Sequence, residues 1–232
     1  MSEYRSNVHQ TTTRTSTQIV RNRVLRNTYW LLALSMIPTV IGAYLGLRMN
    51  VGAAMASSPG ASLIIFLAGA FGLMFLVEKN KNSSLGVVFL LAFTFFMGLM
   101  LSRLLGFVLG LQNGAQLIMF AFGGTGAVFF TMASIASTTK RDFSNMQRFL
   151  LTGVVILIVA AIANMFLQIP ALMLTISVMA IAIFSAFLLV DLQRIINGGE
   201  TNYITATLAV YLSLYNIFSN LLALLGIFGG QE

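Results

Sequence analysis

The sequence predicts an all-α membrane protein with seven transmembrane helices, six of them surrounding a central polar C-terminal helix. Three observations lead there. The chain is 58% hydrophobic and only 8% charged, with a mean hydropathy of +0.90, a composition that no ordinary soluble domain carries. Its apolar residues fall in runs long enough to cross a bilayer as helices, and three prolines in 232 residues leave those runs intact. A β-barrel would instead alternate over about ten residues per strand. The last run is too polar to face lipid alone: Ser213, Asn216 and Asn220 share one helical face, and Tyr211, Tyr215 and Ser219 share the face beside it. An unsatisfied buried polar group costs about 1 to 3 kcal/mol, so this segment belongs inside a bundle.

Met1 to Asn27 is rich in Ser, Thr and Arg and reads as a disordered basic tail. The transmembrane domain is residues 28–232, with spans expected at Thr28 to Leu47, Ala61 to Val77, Leu85 to Leu105, Leu117 to Ser137, Phe149 to Leu167, Ala171 to Val190 and Thr207 to Phe228. Ala54-Met55-Ala56 resembles a signal cleavage site, but the preceding run is too long for a signal h-region and Arg48 intervenes. Only Gln168-Ile169-Pro170 separates the fifth and sixth spans, which makes them antiparallel neighbours, and Pro170 suits a first helical turn. The pairs Gly42/Gly46 and Gly106/Gly110 have the spacing that lets helix backbones approach closely. Gly123 to Gly126 lacks the Lys-Ser/Thr ending of a phosphate loop and reads as a site of close helix packing.

Basic residues sort by side. Arg5, Arg14, Arg21, Arg23, Arg26, Lys79, Lys81, Lys140, Arg141, Arg148 and Arg194 lie on one side, and Arg48 alone on the other. This places the N-terminus in the cytoplasm and the C-terminus in the periplasm, unless the polar last segment is re-entrant. The same distribution explains the net charge of +7 by topology, without a nucleic-acid partner. Arg103, about 27 Å along the third span, is expected to snorkel to the outer headgroups.

The candidate functional groups are the ionisable ones at membrane depth. Asp191 closes the sixth span. It either pairs with Arg194 as an ordinary helix-end carboxylate or is drawn into the bundle beside Ser213 or Asn216, where desolvation makes it a proton-sensitive latch. Glu78 and Tyr215 are possible members of that cluster, although Lys79 beside Glu78 favours a solvated end. Catalysis is not expected. The one histidine, His9, lies in the tail and there is no cysteine, so a serine-protease base, a His/Cys metal site and a disulfide framework are all missing. A second aspartate to face Asp191 is also missing. No cofactor is implied.

Four segments carry a resemblance to a known family: Val24 to Tyr29, Asn164 to Leu172, Gly198-Gly199-Glu200-Thr201-Asn202-Tyr203-Ile204, and Ser213 to Phe218. Together with Asp191 they make the chain, from Val24 onward, similar to the bacterial YccA-like branch of the Bax-inhibitor family. The resemblance implies a multi-pass inner-membrane protein with six helices around a seventh. It also implies two functions. One is a pH-sensitive calcium or cation leak governed by a pair of aspartates on the last two helices. Asp191 matches the first, while the second falls on Ser213, which cannot ionise; one carboxylate is also a poor calcium site, so only transient Ca2+ passage is implied. The other is interaction with a membrane-anchored AAA quality-control protease, as its substrate and inhibitor.

Overall fold

The computed structural model describes residues 2–139, 141–143 and 145–229, with side chains from Asn22 onward apart from those gaps. These residues form eight helices: α1 (Ser2–Arg48), α2 (Val51–Ser57), α3 (Pro59–Lys79), α4 (Ser84–Leu109), α5 (Gly114–Thr138), α6 (Met146–Leu167), α7 (Pro170–Ile196) and α8 (Tyr203–Gly229). All but α2 contain a stretch long and apolar enough to cross a membrane; in α1 that stretch is Asn22–Arg48. The seven spans expected from the sequence are therefore present. Each is a few residues longer than its apolar run, because polar residues at the ends continue the helix.

Two features differ from expectation. The segment read as a disordered tail is helical from Ser2 and runs without a break into the first span. The physical reason is visible in the sequence: no glycine or proline occurs from Ser2 to Ile37, so nothing interrupts a helix that propagates outward from the membrane. The short helix α2 was also not anticipated. Asn50, with φ of 54° in the left-handed region, turns the chain out of α1 and into it.

α8 has the largest buried share of the seven spans. From Asn202 to Ile227 none of its residues is exposed. It packs against α1, α3, α4, α5 and α7. α6 does not reach it and touches α7 alone, which explains why Leu150 is the one buried residue of α6. The jacket around α8 thus lacks the sixth long helix expected in it. The α6–α7 connection is the tight turn read from the sequence: Gln168 adopts a left-handed φ of 53°, Asn164 Oδ1 accepts the Ile169 N–H at 2.9 Å, and Pro170 opens α7.

The closest helix pair is α1 with α4. A Cβ at Gly42 would run into the Phe95 carbonyl oxygen, one at Gly46 into Ser102 Oγ, and one at Gly98 into the Thr39 carbonyl oxygen. Residue numbers rise together on both helices, so the two run parallel. Gly42 and Gly46 therefore serve the close approach their spacing suggested, whereas Gly98 was not singled out. Gly106 and Gly110 meet nothing tighter than 3.3 Å. Gly123 and Gly126 face open space and Gly124 meets only Leu221 Cδ1 at 3.4 Å, so the packing role expected of Gly123 to Gly126 is not found.

Gly98→Val is expected to force α1 from α4 and to destabilise the fold by about 1 to 3 kcal/mol or more, measurable by unfolding in detergent. The same change at Gly123 should be tolerated within about 0.5 kcal/mol.

Candidate functional site

Three loops, α3–α4, α5–α6 and α7–α8, gather at one end of the bundle, tied together by polar side chains. The α7–α8 loop starts where α7 stops. Gly198, with φ of +77°, occupies the left-handed position that ends a helix, its N–H bonding Ile195 O at 3.1 Å. The next two N–H groups, of Gly199 and Glu200, both reach Arg194 O, at 2.9 and 3.3 Å. Glu200 then folds back: Oε2 lies 3.7 Å from Arg194 Nη2, and Oε1 accepts the Asn202 N–H at 2.9 Å.

Asn202 is the centre of this clasp. Its Oδ1 accepts the N–H groups of Ile204 (2.9 Å) and Thr205 (3.2 Å), capping α8. Its Nδ2 donates to Lys81 O (2.9 Å) and Asn82 Oδ1 (3.0 Å) on the α3–α4 loop. Tyr203 opens α8, and its carbonyl accepts Thr207 Oγ1 at 2.7 Å. The chemistry of the Gly198, Gly199, Glu200, Asn202 and Tyr203 segment is therefore that of a double cap joining two helices and a neighbouring loop. Glu78 belongs to the same end. It accepts Thr205 Oγ1 at 3.3 Å and forms an ion pair with Lys81, with half its side chain exposed.

Asp191 lies close enough to Arg194 and Glu200 to feel their charges but makes none of these hydrogen bonds. It is half-buried on α7, five residues before the helix ends. Among the described residues no hydrogen bond or ion pair joins it to Arg194, Ser213 or Asn216; Arg194 turns to Glu200 instead. The helical rise explains the separation from α8. Asp191 lies about 8 Å inside the end of α7, while Ser213 and Asn216 lie about 15 and 20 Å inside the start of antiparallel α8. Ser213 is buried. Asn216 Nδ2 donates within its own helix to Leu212 O at 2.8 Å, and its carbonyl accepts Asn220 Nδ2 at 2.8 Å. Among the described residues no group of three or more His, Cys, Asp or Glu could hold a metal ion.

The polar face of α8 that finds partners on other helices is the tyrosine face. Tyr211 OH shares a hydrogen bond with Thr39 Oγ1 of α1 at 2.9 Å and reaches Thr94 O of α4 at 3.4 Å. Tyr215 OH donates to Met97 O of α4 at 3.2 Å. Two partners were not read from the sequence. Thr39 gave no signal beyond being a hydroxyl after Pro38. Gln193, buried at the end of α7, donates from Nε2 to Arg141 O and accepts the Phe143 N–H at 3.0 Å, pinning the α5–α6 loop. An amide two residues after Asp191 in an apolar helix end was the available clue. Arg103 is exposed on α4.

A family model described as "Inhibitor of apoptosis-promoting Bax1" matches residues 21–230, the whole bundle. The chain belongs to the Bax-inhibitor family. Among similar proteins, the "Modulator of FtsH protease YccA" of Escherichia coli K12 is 43% identical over 205 residues, 88% of this chain and 90% of that protein. The same figures hold for the "Inner membrane protein YccA" of Escherichia coli O6:H1. A membrane protein of Vibrio cholerae serotype O1 is 39% identical over 211 residues, 91% of this chain and 92% of its own. This Bax-inhibitor protein is an integral membrane protein, as its seven apolar helices require.

Asn202→Ala removes the cap of α8 and both bonds to the α3–α4 loop, and is expected to cost about 1 to 2 kcal/mol. Asn202→Asp keeps the capping oxygen and loses the donors, so its unfolding midpoint in detergent should fall between those of Ala and wild type.

Proposed function

We propose that this protein is a multi-pass inner-membrane modulator of a membrane-anchored FtsH-type protease. The observation that carries the reading is 43% identity, over 90% of its length, to a protein named as a modulator of that protease. The chemistry of the fold agrees with a regulatory rather than a catalytic role: the tyrosine hydroxyls of α8 and the amide of Asn202 are spent on holding helices and loops together. The residues before Asn22 precede the apolar part of α1 and form the segment an ATP-driven protease would grip first. With the basic loops on the cytoplasmic side and the N-terminus there too, that segment and the Asn202 clasp both face the protease.

A second reading, a proton-sensitive calcium or cation leak, draws support from one feature. Asp191 is a half-buried carboxylate in a spanning helix whose nearest arginine in sequence, Arg194, is engaged by Glu200. Ser213 in place of a second carboxylate weakens this reading, because a hydroxyl cannot share a proton with Asp191 as a second acid would.

The protease reading is tested by turnover. With an FtsH-type protease and ATP in the same bilayer, the protein should slow degradation of a second membrane substrate several-fold, and deletion of residues 2–16 should abolish its own turnover. With the protease active, a second substrate degraded equally fast with and without this protein would overturn the reading. For the leak, calcium entry into proteoliposomes should exceed that of empty vesicles and change with Asp191→Asn; flux equal to the empty control from folded protein would remove it.

A further inference from the structure

The junction of α1, α4 and α8 does more than close the core. We propose that it is a mechanical stop against extraction of the chain from its N-terminal end, which makes α1, the first span a pulling machine meets, a point of resistance. The inference rests on the protease reading above for its purpose, and on geometry for its substance. α1 is fastened at three heights. Near its basic end, Thr207 Oγ1 of α8 reaches the Thr28 carbonyl at 3.4 Å. In mid-membrane, Tyr211 OH bridges Thr39 of α1 and the Thr94 carbonyl of α4, at 2.9 and 3.4 Å. Further along, Gly42 and Gly46 lie against the backbone of α4 and Ser102.

The direction of load matters. Because these contacts are spread along the axis of α1, a pull along that axis towards its N-terminus loads them together in shear, where a sideways force would peel them one by one. A slide short of one helical turn, about 5.4 Å, brings a residue with a side chain against the Phe95 carbonyl, where there is room only for a glycine hydrogen. Tyr211 cannot yield by swinging aside. It is 1% exposed and held edge-on by Phe93, with ring centroids 6.0 Å apart, and stacked on Tyr215. In lipid the Thr39 and Tyr211 hydroxyls have no water to turn to, so once their mutual bond breaks each is left only with a backbone carbonyl, Ser35 O at 2.9 Å and Thr94 O at 3.4 Å, neither of which ties α1 to α8. α6 offers the contrast: it packs on α7 alone and has no comparable anchor.

The test uses isosteric variants of the full chain. Tyr211→Phe and Thr39→Val each remove the hydroxyl bridge to α1. Tyr215→Phe removes a hydroxyl bond of the same kind that joins α8 to α4 only. In single-molecule pulling from the N-terminus in a bilayer, the first rupture, that of α1, is expected at lower force in Tyr211→Phe and Thr39→Val, with the double variant no weaker than either. Tyr215→Phe should match wild type. Turnover by the protease should rise several-fold in the same two variants. An α1 rupture force that is the same in Tyr211→Phe as in Tyr215→Phe overturns the stop. A lowered force together with no engagement of any variant by the protease overturns the protease reading and leaves the stop standing.

Discussion

Lipid offers no hydrogen bonds, and the rest of this structure follows from how one helix meets that constraint. α8 brings two tyrosines that reach α4, and several amides and serines elsewhere, into the bilayer. It meets the constraint in two ways. Tyr211 and Tyr215 reach the backbone of α4 and the Thr39 hydroxyl of α1, whereas Asn216, Ser219 and Asn220 turn inward to carbonyls of α8 itself. The first solution fixes neighbours; the second only neutralises polarity. It follows that α1 and α4 are the helices that the α8 tyrosines tie to the centre by hydrogen bonds, and that glycines at their contact let the two backbones come close enough for a single tyrosine to reach both.

The basic end is organised by the same economy of polar groups outside the bilayer core. Gly198 frees the end of α7, Glu200 and Asn202 rebuild the start of α8, and the remaining donors of Asn202 tie in the α3–α4 loop. Gln193 does the corresponding work for the α5–α6 loop. Asp191 precedes both clasps on α7 and shares a hydrogen bond or ion pair with neither among the described residues.

Span number and order were legible because apolar runs of some 20 residues have one physical solution in a bilayer. The burial of α8, the largest among the spans, accords with its polarity, although five long helices rather than six pack on it, and the Gly42/Gly46 contact accords with its spacing. What the sequence did not show were contacts between residues far apart along the chain. Thr39 meets Tyr211 across 172 positions, and Gln193 meets Phe143 across 50, with no local pattern to mark either. The peripheral place of α6 was equally hidden, since an apolar helix facing lipid and one facing protein have the same composition. The pairing of Asp191 with Ser213 was plausible from their adjacent helices, but the rise along antiparallel helices places them at different depths.

The most direct test of the central claim, that α8 is shielded from lipid while α6 is not, uses the natural absence of cysteine in this chain. Single cysteines at Ala209, Ser213 and Ala223 of α8, and at Val155, Val159 and Ala161 of α6, would each carry a small fluorophore in vesicles containing brominated lipid. Quenching should be weak at the three α8 sites and strong at the three α6 sites. Equal quenching on both helices would contradict the buried position of α8 and the packing built on it.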